Sequence, residues 1–188
     1  MGALRRQVRE DWLTNGRDWR SPGFRALFVN RFATTVRAKF TSRPARAPFA
    51  LIYRAMFRHC RNVYGMKIDY TATIGRRLLI EHHMGIAVHP NARIGDDCVL
   101  RQNVTLGMLS RPNYSAAPVL GDRVDVGAGA QILGAIRVGD DAVVGANAVV
   151  VRDVPDGWAA LGNPARIVRL RRSAAEAPRP SQTGESPS

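Results

Sequence analysis

The chain has 188 residues, 45% of them hydrophobic and 23% charged, with a formal net charge of +13. It is long enough to bury one sizeable core, which excludes wholesale disorder. No stretch reaches the roughly 18 consecutive apolar residues of a membrane-spanning helix, and Glu10, Asp11 and Asn15 stand where a secretion signal would be apolar, so the expected location is the cytoplasm. Cys60 and Cys98 are too few for a disulfide framework and sit among apolar neighbours, which suits buried thiols in a reducing compartment.

Residues 1–65 read as a basic α-helical region. Ser21-Pro22-Gly23 and Ser42-Arg43-Pro44 break it, leaving helices near 3–14, 23–40 and 47–62. In the last of these, Phe49, Ile52, Met56 and Cys60 recur at helical spacing opposite Arg54, Arg58 and Arg61, so one side is built to pack on the next domain. The region holds 14 lysines and arginines against three acids, a net of +11, which leaves +2 for the remainder. Such a run is either a solvated helical face or a surface for phosphates, including the anionic inner face of a membrane. Nucleic acid is disfavoured, because neither interleaved aromatics nor zinc-ligand spacing accompanies the charge.

Residues 66–172 repeat with a period of six. Aliphatic residues recur from Ile68, Ile74 and Ile80 through to Val138, Val144 and Val150, and the fifth residue of each unit is small or apolar, as at Ala72, Leu78, Met84, Ala92, Cys98 and Ala148. Glycines such as Gly75, Gly95, Gly121 and Gly139 follow the aliphatic residue directly, where a corner needs a permissive backbone or a side chain that points away. A six-residue unit cannot bury its own aliphatic side chain, so units must stack, three to a coil. The result is a parallel β-helix of about four coils, ~20 Å tall at ~4.8 Å per coil. Two breaks interrupt the period. From Ile80 to Val88 the step is eight residues, within Glu81-His82-His83-Met84-Gly85. From Leu106 to Leu120 it is 14, so residues 107–119 form a protruding loop. Beyond it all, 173–188 is rich in Ser, Pro, Ala and Glu and reads as a disordered tail.

These residues resemble hexapeptide-repeat acyltransferases, within them the serine O-acetyltransferase branch. The resemblance rests on Ile74-Gly75-Arg76, Ile80-Glu81-His82, Asn103-Val104-Thr105-Leu106-Gly107, Val126-Gly127-Ala128-Gly129-Ala130-Gln131-Ile132-Leu133-Gly134 and Gly162-Asn163-Pro164-Ala165-Arg166. It implies a mainly β fold, a left-handed parallel β-helix behind the N-terminal helices, and a homotrimer. Inside the branch the nearer likeness is to acetyltransferases of exopolysaccharide synthesis, of the colanic-acid type. The serine enzymes resemble one another in an Arg-His pair before the Pro that ends the long loop, suited to an amino-acid carboxylate; here those positions are Ala116 and Ala117. They also resemble one another in an Asp that orients the His, and that position is Lys67.

The chemistry follows from the matched residues. Acetyl transfer to an alcohol needs a base for the hydroxyl proton, and His82 is the matching imidazole, oriented by Asp69 or Glu81. The resemblance implies acetyl-CoA as co-substrate, lying between two prisms against Leu106, Gly107, Ala128 and Ala146, with Arg166 near a nucleotide phosphate. No metal is expected: His59, His82, His83 and His89 are the histidines, and none follows residue 89. The expected activity is O-acetylation of a sugar hydroxyl in an exopolysaccharide or its lipid-linked precursor, with the basic helices against the inner membrane. The alternatives are serine O-acetylation for cysteine synthesis and a non-catalytic trimeric scaffold.

Overall fold

Three helices precede a three-faced β-solenoid in the computed structural model, which describes residues 2–110 and 115–170. The expected tail and the middle of the expected loop lie outside the described residues. Helices α1 (Gly2–Thr14), α2 (Pro22–Lys39) and α3 (Arg43–Val63) fall between the breakers. Ser21 caps α2, its hydroxyl accepting the Phe24 N–H at 3.5 Å, and Pro22 follows where a missing N–H costs nothing. α3 starts at Arg43 rather than near 47, because its first turn accommodates Pro44. Its packed face is rotated from the expected one. Tyr53, Met56 and Phe57 lean on the core and Cys60 is buried, while Ile52 is exposed.

The first coil consists of β1 (Lys67–Ile68), β2 (Thr73–Ile74) and β3 (Leu79–Ile80), and the second of β4 (Ala87–Val88), β5 (Arg93–Ile94) and β6 (Val99–Leu100). β7 (Thr105–Gly107), β8 (Val119–Leu120) and β9 (Asp125–Val126) make the third; β10 (Gln131–Leu133), β11 (Arg137–Val138) and β12 (Val143–Val144) make the fourth. Each strand pairs in parallel with its equivalent one coil away. The first face runs β1-β4-β7-β10 and ends on β13 (Val149–Val150); the second runs β2-β5-β8-β11. The third runs β3-β6-β9-β12, continues into β14 (Trp158–Leu161) and is closed by antiparallel β15 (Arg166–Arg169). The period-six aliphatics point inward: Ile68, Val88, Leu106, Ile132 and Val150 form one column, each 4% exposed or less. The fifth residues point inward too, except Met84. Met84 is exposed and Ile86 takes its place in the core, because the eight-residue step inserts two residues ahead of it. Cys98 belongs to the inner set; burial pushes its thiol up to about 11, so it packs as a small apolar side chain.

The corner glycines serve close stacking rather than left-handed backbone. A Cβ on Gly95 would stand 2.3 Å from the Gly121 carbonyl oxygen of the next coil. Positive φ falls two residues later, on Arg77, Asp97, Arg123 and Asp141. The space beside the glycines is taken by an aspartate column: Asp96, Asp122, Asp140 and Asp156 accept the N–H groups of Arg76, Asp96, Asp122 and Asp140 at 2.8, 2.8, 3.1 and 2.8 Å. Next to it the left-handed residues alternate in charge. Arg77 pairs with Asp97 at 2.5 Å and Arg123 with Asp141 at 2.8 Å, and Arg77 holds the Asp97 carboxyl below the ordinary carboxylate range. Gly95→Ala is expected to destabilise at the upper end of the ~1–3 kcal/mol of overpacking, since the obstructing atom is backbone; denaturant unfolding measures it.

A first coil has no coil before it, so its backbone groups need other partners. The helices supply them. Asn30 Nδ2 donates to the carbonyls of Asp69 and Ala72 at 3.0 and 3.4 Å, and the Arg31 guanidinium to those of Ile74 and Gly75 at 2.6 and 2.5 Å. Asn15 donates to the Leu78 carbonyl at 3.0 Å and accepts the Ile80 N–H at 3.1 Å. Arg31 itself pairs with Asp11 at 2.9 Å, the two side chains 4% and 1% exposed. The basic helices are therefore the end cap of the solenoid.

Candidate active site

The shorter interruption of the period is the corner between β3 and β4, and it displays His82 at its apex. His82 has φ +52° and an exposed side chain. Neighbouring His83 turns towards the helical cap, its ring edge-on to Tyr64 at 6.0 Å; Tyr64 in turn meets His59 Nε2 at 3.1 Å and Arg25 at 2.7 Å. His89 sits at a different corner, after β4, buried, its Nδ1 accepting the Asn91 N–H at 3.1 Å. That bond assigns the proton of a neutral imidazole to Nε2. Among the described residues no three His, Cys, Asp or Glu side chains are grouped to hold a metal ion.

The two carboxylates expected to orient His82 are engaged elsewhere. Asp69 lies after β1, on another edge of the prism from His82, and its carboxylate accepts the Thr71 N–H and hydroxyl at 3.0 and 2.9 Å. Glu81 shares the edge of His82 but pairs with Arg101 at 2.9 Å, and Arg101 also binds Asp125 one coil further on. A Glu–Arg–Asp chain thus runs beside the His82 edge across three coils.

The residues expected to meet acetyl-CoA fall into three places. Ala128 and Ala146 continue the His82 edge in the third and fourth coils, where the Ala128 carbonyl accepts the Asn147 N–H at 2.8 Å. Their small side chains keep that edge low. Leu106 is 1% exposed and points into the core, so only its backbone can face a ligand. Gly107 lines a cleft of about 270 Å³ on the first face, together with Lys67, His89, Thr105, Met108 and Leu133. Arg166 is exposed on β15, at the far end of the third face. Lys67 is the functional candidate that sequence alone leaves as a mere departure from the family pattern; at the head of β1, in register with Ala87, it lines the cleft.

No family model matches the chain. Over 151 residues it is 41% identical to the serine acetyltransferase of Helicobacter pylori, covering 80% of this chain and 84% of that one. The chain belongs to the serine acetyltransferase family. The corresponding protein of Mycobacterium tuberculosis is 37% identical over 147 residues, 78% of this chain and 61% of the relative. Soybean serine acetyltransferase, solved in complex with serine, superposes with a TM-score of 0.76 at 35% identity, covering 89% of this chain and 70% of that one. Brucella abortus serine acetyltransferase, solved with coenzyme A, gives a TM-score of 0.70 at 26% identity, covering 89% of this chain and 67% of that one. As a member of the family the chain is an O-acetyltransferase. These relatives are all serine acetyltransferases, so the nearer likeness expected to exopolysaccharide enzymes finds no support among them, and the serine alternative is the better supported.

Proposed function

We propose that the chain transfers the acetyl group of acetyl-CoA directly to the hydroxyl of L-serine, with His82 as general base. The observation that carries this is the exposed His82 at the head of an edge kept low by Ala128 and Ala146, in a chain 41% identical to a serine acetyltransferase. His82 takes the hydroxyl proton as the oxygen bonds to the thioester carbonyl carbon; the carbon–sulfur bond then breaks and the proton passes to the departing sulfur. Backbone N–H groups of the corner, held by the stacked coils, stabilise the oxyanion without reorganising. Of the two carboxylates expected to orient His82, Glu81 alone shares its edge, and orienting the imidazole would require Glu81 to turn from its pair with Arg101. In a homotrimer the first face closes against a neighbouring prism and completes the groove for acetyl-CoA.

A sugar hydroxyl as acceptor is the second reading, and one observation favours it. Ala116 and Ala117, half-buried before Pro118, offer no charge to an amino-acid carboxylate. CoA release from acetyl-CoA, measured in parallel with L-serine and with hexoses and uronic acids, separates the two. Saturable turnover on serine supports the first reading; release with sugars alone moves the assignment to the second; silence with every acceptor leaves a larger lipid-linked acceptor or the scaffold. On the first reading, Ala116→Arg combined with Ala117→His is expected to lower the KM for serine about tenfold, the worth of one charge-assisted hydrogen bond.

A further inference from the structure

We propose that the helical cap docks on an anionic lipid bilayer, with Trp19 and Phe28 entering it. Two apolar grooves open side by side on the cap and share these two side chains. One, of about 480 Å³, lies between α2 and α3 over Phe24, Val29, Met56 and Cys60; the other, of about 430 Å³, lies along α1 over Leu4, Val8 and Trp12. Trp19 is 60% exposed, yet it stacks on Trp12 at 5.6 Å and meets Phe24 edge-on at 5.1 Å. It is a ring held outwards by packing. Amphipathic rings above an apolar floor suit the boundary between headgroups and acyl chains.

The rim of the grooves is cationic. Arg5 and Arg9 line one and Arg25 the other. Of the three acids of the region, Glu10 pairs with Arg76 of the solenoid and Asp11 is buried with Arg31, while Asp18, exposed beside Trp19, is outnumbered by Arg5, Arg9 and Arg25. A second copy of the cap would set one net charge of +11 against another and be repelled. A nucleic acid would meet the charge but leave both apolar grooves unused. An anionic bilayer satisfies both features, with headgroups on the arginines and acyl chains in the grooves. Among the described residues no helix is long and apolar enough to cross a membrane, so the contact is peripheral. None of this depends on which acceptor the site uses.

Flotation of the full chain with vesicles of phosphatidylcholine, with and without phosphatidylglycerol, tests it. The chain is expected to float only with phosphatidylglycerol, to be released by salt, and to show a blue shift of tryptophan emission on binding. Arg5→Gln and Arg9→Gln are each expected to weaken vesicle binding about fivefold, and Trp19→Ser with Phe28→Ser to abolish the emission shift, with far-UV circular dichroism unchanged. Three results overturn the proposal: no flotation, flotation indifferent to phosphatidylglycerol, or binding that survives all four substitutions. Retention by duplex DNA without vesicle binding overturns it in favour of nucleic acid.

Discussion

His82→Asn is expected to lower kcat by ~10²–10⁴, the usual worth of a positioned general base, without unfolding the protein. The choice of Asn follows from the backbone. His82 sits at φ +52°, a conformation that Asn adopts more readily than Ala, so the substitution removes the imidazole without adding strain. The side chain is exposed and leaves no cavity when it is shortened. Because Ala128 and Ala146 are untouched, the KM for acetyl-CoA should hold while kcat falls. Steady-state CoA release and a thermal melt on the same preparation decide the matter. Turnover near the parent level would remove His82 from the mechanism, and a collapsed melt would show that the corner, not the base, had been lost.

Arg31→Met is expected to destabilise the fold by ~3–5 kcal/mol, because it strands Asp11 as an uncompensated buried charge. Two further groups lose their partner with it, the carbonyls of Ile74 and Gly75. Adding Asp11→Leu separates the two costs. With both charges gone the ion-pair penalty disappears, and what remains is the ~1–3 kcal/mol of buried acceptors without donors. Urea unfolding of the single and double variants should therefore place the double variant between the parent and Arg31→Met. Equal stability of both variants would mean that capping the first coil, not pairing Asp11, is what Arg31 contributes.

The solenoid was legible because its period is local. A residue six positions from Ile68 meets the same demand one face later, and the demand repeats until Val150, so the pattern exposes the fold. The breaks at Glu81–Gly85 and after Leu106 were legible for the same reason, since a regular array makes an insertion visible. Met84 shows the limit: counting by six through an eight-residue step assigns it inward, whereas the backbone puts Ile86 in the core instead. The orienting carboxylate was less accessible, because two-residue alternation relates Asp69 to Lys67 only while the strand continues, and β1 ends at Ile68. Arg31 and Asp11 carry no local signature. In sequence Arg31 is one arginine among many; only the open edge of the first coil distinguishes it.

The alternating column Arg77, Asp97, Arg123 and Asp141 gives the solenoid a parity. Duplicating a single coil, or deleting an internal one, would bring two residues of like sign together at the same corner, whereas a pair of coils would preserve the alternation. The neighbouring column of Asp96, Asp122, Asp140 and Asp156 imposes no such rule, because each carboxylate answers a backbone N–H that every coil provides. Growth of this scaffold by duplication is thus favoured in steps of two coils, and an odd change in length would be marked by a charge substitution at that corner.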